Sequence, residues 1–257
     1  MHKLFQLESL IRGEVLKRPS KSCKSPYVAD VMLNDDKIIL AHAPSLGCNG
    51  LCDTGGIVYL SKKGAVCSYR IELSENSEGI IIGINPKLAE KIVEEAIMKN
   101  QMTKTYKREK KILNSRFDFV GMHTNSKKLF VLEVKTVPLC IEPGVASFPH
   151  GYRKKKGDPV SPRALKHLTD LIEIASESNA DAIMCYVIQR GDTDKFIPSE
   201  SDPIYKARFH QAINLGFLYK IFMWNGKVMV PAFSKNIRYF HEIFNFFSLY
   251  PKMEIQK

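Results

Sequence analysis

Asp118 and the triplet Glu133-Val134-Lys135 place two carboxylates and an ammonium on what read as two consecutive strands. The first is Ser115-Arg116-Phe117-Asp118-Phe119-Val120 and the second runs from Lys128 to Lys135, with a polar turn-like stretch from Gly121 to Lys127 between them, which predicts a hairpin. In the second strand Phe130, Leu132 and Val134 alternate with Val131, Glu133 and Lys135, so the acid and the base share a face two residues apart. Carboxylates converging from neighbouring strands make a hard-oxygen site suited to Mg²⁺ or Mn²⁺. A lysine beside them can orient a water or neutralise a phosphate. The same spacing also occurs on solvated edge strands and in cross-strand ion pairs, so spacing alone leaves both readings open. Context favours a site, because the charges sit at the C-terminal end of an otherwise apolar strand, where ligand-binding groups collect in α/β sheets.

Elements that position these residues follow from the rest of the chain. Short apolar runs at Tyr27 to Leu33, Lys37 to Ala43, Ile57 to Leu60, Ser68 to Leu73 and Gly79 to Ile84, separated by turn signals, predict a small five-stranded β-barrel of OB type over residues 1–84. Arg18, Lys21 and Lys24, with Tyr27, are its local supply of phosphate-contacting and stacking groups. These residues also read simply as solubilising charge on a small barrel.

After Asn85-Pro86 the pattern turns helical. Leu88, Ala89, Ile92, Val93, Ala96 and Ile97 form an apolar stripe, with Glu90 and Glu94 read on the opposite face. Glu95 lies at the stripe's edge beside Leu88 and Ile92 and is the expected third carboxylate. A strand at Thr105 to Leu113 precedes the hairpin. A helix follows at Ser161 to Ser178, then a nearly continuous apolar strand from Ala182 to Arg190, a helix from Pro203 to Leu215 and a strand from Phe217 to Trp224. Helix, three strands, helix, strand is the core order of the PD-(D/E)xK nuclease fold. The expectation is therefore an α/β chain, α+β overall, with an OB-like barrel at 1–84 and a restriction-endonuclease-like mixed sheet flanked by helices at 85–257. The Phe- and Tyr-rich tail from Asn236 reads as a terminal helix and a loose end.

Composition narrows the class of partner. The chain has 257 residues, 44% hydrophobic and 25% charged, which is ordinary globular usage, but its net charge of +11 points to a polyanion, with nucleic acid ahead of membrane. The excess is clustered around the site. Lys107, Arg108, Lys110, Lys111 and Arg116 lead into the Asp118 strand, with Glu109 the one acid in that run, and Arg153, Lys154, Lys155, Lys156, Arg163 and Lys166 follow it. Either run also fits a solvated face or loop. No stretch of about 18 apolar residues exists, so no membrane partner is expected. Six scattered cysteines and an N-terminus without a signal-peptide core fit a reducing intracellular compartment, cytoplasmic or nuclear. Cys48-x-x-x-Cys52 near His42 lacks a second ligand pair of zinc spacing and reads as buried structural thiols.

The chain resembles the sugar fermentation stimulation protein A family over about Leu10 to Trp224. The carrying stretches are Tyr27-Val28-Ala29-Asp30-Val31, His42-Ala43-Pro44 with Gly50-Leu51-Cys52, Gly83-Ile84-Asn85, Val93-Glu94-Glu95-Ala96, Asn114 to Phe119, Glu133-Val134-Lys135, Lys166-His167-Leu168 and Gln189-Arg190. The resemblance implies an OB-like domain joined to a PD-(D/E)xK nuclease-like domain, DNA binding, and a link to sugar-utilisation gene expression. It also implies Asp118 and Glu133 as metal ligands, Lys135 as catalytic lysine, Glu95 as a further acid, and Ser115, Arg116, His167 and Gln189 as polar surroundings. Two departures stand out. Relatives usually carry His-Cys-Pro-Asn-Thr/Ser-Gly where this chain has His42-Ala43-Pro44-Ser45-Leu46-Gly47, and Phe148-Pro149 runs into His150 and a basic insert through Pro159. The expected function is a Mg²⁺- or Mn²⁺-dependent DNA nuclease. A non-catalytic regulatory or architectural DNA-binding protein is the alternative, and RNA is a possible polymer in either case.

Overall fold

The protein is described from a computed structural model. It covers residue 7 and residues 9–46, 48–62, 67–99, 102–151, 153, 155–215, 218–224 and 229–231, with backbone alone for 49, 99, 194, 218–224 and 229–231. Lys154 and the tail from Asn236 lie outside the described residues.

The N-terminal third contains β1 (Ile11–Lys17), β2 (Val28–Leu33), β3 (Ile38–His42), β4 (Ile57–Lys62), β5 (Tyr69–Glu75) and β6 (Ile81–Gly83). Their order is β3-β2-β1-β4-β5-β6, and parallel pairing of β3 with β5 at Ala41↔Tyr69 and His42↔Arg70 closes the first five into a barrel. Val15, Val31, Val58, Leu60 and Ile71 fill it. The barrel is thus five-stranded as expected, but not from the expected five. Its first strand is β1, which the sequence reading left out, and residues 81–83 extend β5 outside the closed ring. The sequence Ile-Arg-Gly-Glu-Val-Leu-Lys hides β1, because only Gly13 and Val15 are buried along it. Gly13 is a packing requirement. A Cβ there would stand 2.6 Å from Val31 Cγ1 and 2.9 Å from the Met32 carbonyl oxygen.

The remainder contains α1 (Pro86–Lys99), β7 (Thr103–Ile112), β8 (Ser115–His123), β9 (Leu129–Thr136), β10 (Cys140–Glu142), β11 (Gly144–Phe148), α2 (Pro162–Glu177), β12 (Ala180–Ile188), β13 (Thr193–Pro198), α3 (Pro203–Asn214), β14 (Leu218–Trp224) and β15 (Met229–Pro231). The main sheet runs β15-β14-β12-β9-β8-β7. Within it β9, β12 and β14 are parallel, while β7, β8 and β9 form an antiparallel meander. Burial on both faces explains why β12 reads as a continuous apolar run. α1 covers one face through Leu88, Ala89, Val93 and Ala96 against Phe119, Phe130 and Leu132. α2 and α3 cover the other through Leu168, Leu171 and Phe209 against Val131, Met184 and Tyr186. α2 begins where Ser161 caps it by accepting the Ala164 N–H, with Pro162 in the first turn.

β10, β11 and β13 form a separate three-stranded sheet with no counterpart in the sequence reading. β11 and β13 pair in parallel across the whole of α2 and β12, a long-range match that such short strands do not announce. The barrel and the main sheet are packed together. Leu10, Tyr59 and Leu73 join the α1 cluster, and the Gly83 N–H donates to the Gln189 carbonyl at 2.7 Å. Buried Glu72 of β5 accepts from Asn85 Nδ2 at 2.5 Å, tying the barrel to the start of α1.

Candidate active site

β8 and β9 pair from Met122↔Leu129 to Phe119↔Leu132 and then part. At the parting, Asp118 Oδ2 accepts the Val134 N–H at 2.7 Å, so a side chain supplies the acceptor that the next residue of the ladder would have given. Alternation along β9 sends Phe130, Leu132 and Val134 toward α1 and Val131, Glu133 and Lys135 toward α2. Glu133 is 2% exposed, and its Oε1 accepts from both Lys135 Nζ and His167 Nδ1. Lys135 Nζ also lies 3.3 Å from His167 Nδ1. His167 reaches the site from α2, where Phe117 packs beside its ring.

The electrostatics separate the two carboxyls. Burial pushes Asp118 up, the Glu133 charge adds to it, and the Val134 N–H and Lys135 only partly offset them, leaving it at about 7. Burial also pushes Glu133 up, but the Lys135 ammonium and His167 outweigh it and hold this carboxyl below the usual range. Glu133 therefore carries the fixed charge, while Asp118 exchanges its proton near neutrality.

Two observations fit a hard divalent cation to these residues. Glu133 Oε2 is buried and makes no hydrogen bond among the described residues. Such an orphaned carboxylate oxygen is expensive unless something outside the chain meets it. Carboxylate oxygens of Glu90, Glu109 and Asp118 also lie within 4.8 Å of one another. Glu109 falls between the pairs Arg108↔Phe119 and Lys110↔Phe117, directly across from Asp118. Like charges facing each other across strands repel unless a cation or proton intervenes, and Lys87 Nζ, 2.8 Å from Glu90 and 3.4 Å from Glu109, offsets part of that charge.

The acid that α1 brings to Asp118 is Glu90, and Glu95 is not in the acidic group. Glu90 and Glu94 do not face away from the sheet. Arg108 of β7 donates to Glu90 at 2.6 Å and to Glu94 at 2.7 Å, Tyr106 donates to Glu94 at 2.6 Å, and Lys87 pairs with Glu90 at 2.8 Å. At about 100° per residue, Glu90 and Glu95 flank opposite edges of one apolar stripe. Periodicity alone could not say which edge meets β8. Glu109 went unread as well, although its isolation in a run of cations was the available signal, and its backbone adopts φ +53°.

Other predicted residues divide by location. Ser115 and Gln189 are buried, with the Ser115 hydroxyl and both Gln189 amide atoms lacking partners among the described residues. Gln189 lies against Gly83, at the junction of barrel and sheet. Lys107, Lys110, Lys111, Arg116, Lys155, Lys156, Arg163 and Lys166 are exposed. Arg108 is committed to its ion pairs and lies 5.0 Å above the Phe119 ring. Arg153 donates to the Ser201 carbonyl. In the barrel, Lys21, Lys24 and Tyr27 are exposed and Tyr27 stacks on His42. Arg18 instead ties its own loop to the loop after β3, donating to the carbonyls of Pro26, Ser45 and Leu46 at 2.6 to 2.8 Å. A cleft of about 630 Å³ opens beside Thr136, the residue after Lys135, between the barrel loop at Ser45 and Cys48 and the insert at His150 and Gly151. No helix among the described residues is long and apolar enough to cross a membrane.

Residues 84–228 match the family model described as the sugar fermentation stimulation protein RE domain. Proteins named sugar fermentation stimulation protein homolog from Brucella ovis and Brucella melitensis are each 32% identical over 218 residues, covering 80% of this chain and 85% of theirs. The solved structure of Pyrococcus furiosus SfsA in complex with Ca²⁺ is similar at a TM-score of 0.73 and 23% identity, over 87% of this chain and 92% of that one, a likeness of fold. By its family match over more than half its length and by these relatives, the chain belongs to the sugar fermentation stimulation protein family.

Proposed function

We propose that this protein is a metal-dependent phosphodiesterase acting on DNA, with residues 1–84 and residues 85–257 as its two functional units. The observation that carries the reading is the pairing of a buried, charged Glu133 bearing a free Oε2 with Asp118 at the splayed end of β8 and β9. Asp118 and Glu133 would hold Mg²⁺ or Mn²⁺, with Glu90 on the Asp118 side. The Pyrococcus relative is described with Ca²⁺, a cation of the same oxygen-seeking class. Bound there, the ion would act as a Lewis acid toward a phosphate and increase the acidity of water.

The chain's own residues do the rest. His167 holds Glu133 in one rotamer by hydrogen bonding, which leaves Oε2 directed away from the protein's own donors. Lys135 is fixed by Glu133 at the site, where its ammonium can neutralise charge developing on a phosphate oxygen. Exposed Lys107, Lys110, Lys111 and Arg116 on one side, and Lys155, Lys156, Arg163 and Lys166 on the other, supply backbone contacts to the polymer. Each phosphate neutralised on duplex DNA should add about 0.9 to the salt slope of binding. Six cysteines without disulfides fit a reducing compartment.

Purified protein incubated with Mg²⁺ or Mn²⁺ and single-stranded, duplex and branched DNA, with RNA in parallel, tests the reading. Cleavage that requires the ion and is lost in Lys135→Ala, with binding retained, is expected. Binding to DNA without ion-dependent cleavage would instead make this a non-catalytic DNA-binding protein.

A further inference from the structure

The barrel loop after β3 carries a second chemical constellation, separate from the carboxylates. Cys48 opens a 3₁₀ turn over Cys48–Gly50, and the Leu51 N–H donates back to the Cys48 carbonyl at 3.0 Å, so Cys52 comes round one turn later. The two thiols are buried and reduced, and both belong to the core cluster of the barrel. Arg18 holds the loop by donating to Ser45 and Leu46 through Nη2, and its positive charge favours the charged form of Cys48. Cys48 in turn lines the 630 Å³ cleft, and its backbone adopts φ +43°, in the left-handed region that a β-substituted residue enters only at some cost.

We propose that Cys48 and Cys52 form a reactive dithiol site in which Cys48 attacks a peroxide and Cys52 closes the disulfide. The geometry separates the two roles. Cys48 faces the cleft and the Arg18 cation, whereas Cys52 is fully buried behind it. The hydrogen bond from Cys52 brings the Cys48 thiol down to about 6 against burial, with Arg18 helping, and the same contact pushes Cys52 far up. Of the two thiols, Cys48 is thus the one whose charged form is favoured, the asymmetry that exchange chemistry uses. With its proton on, the Cys48 sulfur donates to the Ser45 carbonyl at 3.1 Å. With the proton gone, that carbonyl keeps Arg18 as its donor.

The chemistry balances with peroxide as the named oxidant. The Cys48 thiolate attacks one peroxide oxygen, the O–O bond breaks, and hydroxide leaves as sulfur is oxidised by two electrons to the sulfenic acid. The Cys52 sulfur then displaces hydroxide from the Cys48 sulfur, and with the Cys52 proton this leaves as water, forming the S–S bond. Closure removes the anion that Arg18 faces at the cleft wall.

The test is peptide mapping of the full reduced chain after one equivalent of hydrogen peroxide at neutral pH, with free thiols then blocked by a maleimide. The peptide joining Cys48 and Cys52 should escape blocking and be lighter by two hydrogens, while exposed Cys23 and half-buried Cys140 are blocked. In Cys52→Ser, Cys48 should stop at the sulfenic acid and be trapped by dimedone. Oxidation beginning at Cys23 or Cys140, or a Cys23–Cys67 bond formed ahead of Cys48–Cys52, would overturn the proposal. So would absence of the dimedone adduct at Cys48 in the serine variant.

Discussion

Asp118 Oδ2 accepts the Val134 N–H at 2.7 Å across the gap where β8 and β9 stop pairing. One side chain therefore closes the backbone ladder and presents a carboxylate to the site. Asp118→Asn keeps an acceptor for Val134, whereas Asp118→Ala leaves a buried N–H without one, a loss of about 1–3 kcal/mol. Both variants should lose ion-dependent cleavage, but only the alanine should lower the denaturation midpoint without added metal. Equal midpoints for the two variants would show that the hydrogen bond carries no stability.

The raised carboxyl sets a pH dependence of definite sign. With an ordinary value of 3.8 unfolded and about 7 folded, Asp118 binds more protons in the folded protein between those limits. Metal-free stability should therefore fall as pH rises from about 4 to about 7 and then level off. The slope should be shallower in Asp118→Asn, measured by urea denaturation at each pH. Mn²⁺ should restore stability above neutrality in the wild type and not in the variant. Parallel pH profiles for the two proteins would remove Asp118 as the titrating group.

Glu90, rather than Glu95, stands with Asp118 and Glu109. In a metal-induced thermal shift, Glu90→Gln should weaken divalent binding by about tenfold. Glu95→Gln should leave it nearly unchanged. Glu94→Gln is the needed control, because it too removes a partner of Arg108 without belonging to the acidic group. If the Glu94 and Glu90 variants behave alike, the effect belongs to Arg108 and not to a ligand.

His167 should act through Glu133. Replacing it with Phe removes a donor to a carboxylate that is almost wholly buried, and should cost about 1–3 kcal/mol at neutral pH. Because His167 helps hold Glu133 below the usual range, its stabilisation is present above the ordinary carboxyl pKa and is lost as acid protonates the folded carboxyl. The deficit of the variant should shrink as pH falls. A deficit independent of pH would assign His167 to packing against Phe117 alone.

Gly83 and Gln189 join the barrel to the sheet. A Cβ at residue 83 would meet Gln189 Cβ at 2.5 Å and its Cδ at 2.6 Å, too near its backbone for a simple rotamer change. Gly83→Ala should destabilise by about 1–3 kcal/mol. Pairing it with Gln189→Ala should recover part of the loss, and a strictly additive double variant would show that the overlap relaxes elsewhere.

Local patterns carried far in this chain. The 3.6-residue stripe located α1, the expected helix at Ser161 to Ser178 is α2, and period-two alternation put Glu133 and Lys135 on one face of β9. These signals sit within a turn or a strand of the residues they describe, so composition and spacing alone reveal them. β1 escaped because its backbone is stabilised by pairing on both edges rather than by an apolar rhythm, and the small sheet because β11 finds β13 only after the chain has passed through α2 and β12. The sequence by itself determined α1, the β8–β9 hairpin, α2, β12 and α3, and the acid-x-lysine triplet, all local properties of the chain. Tertiary structure decided which edge of α1 meets the site, that Glu109 stands across from Asp118, and that Arg18 ties the loop after β1 to the loop after β3. Those facts depend on helix rotation, cross-strand register and long-range packing, which no single segment encodes.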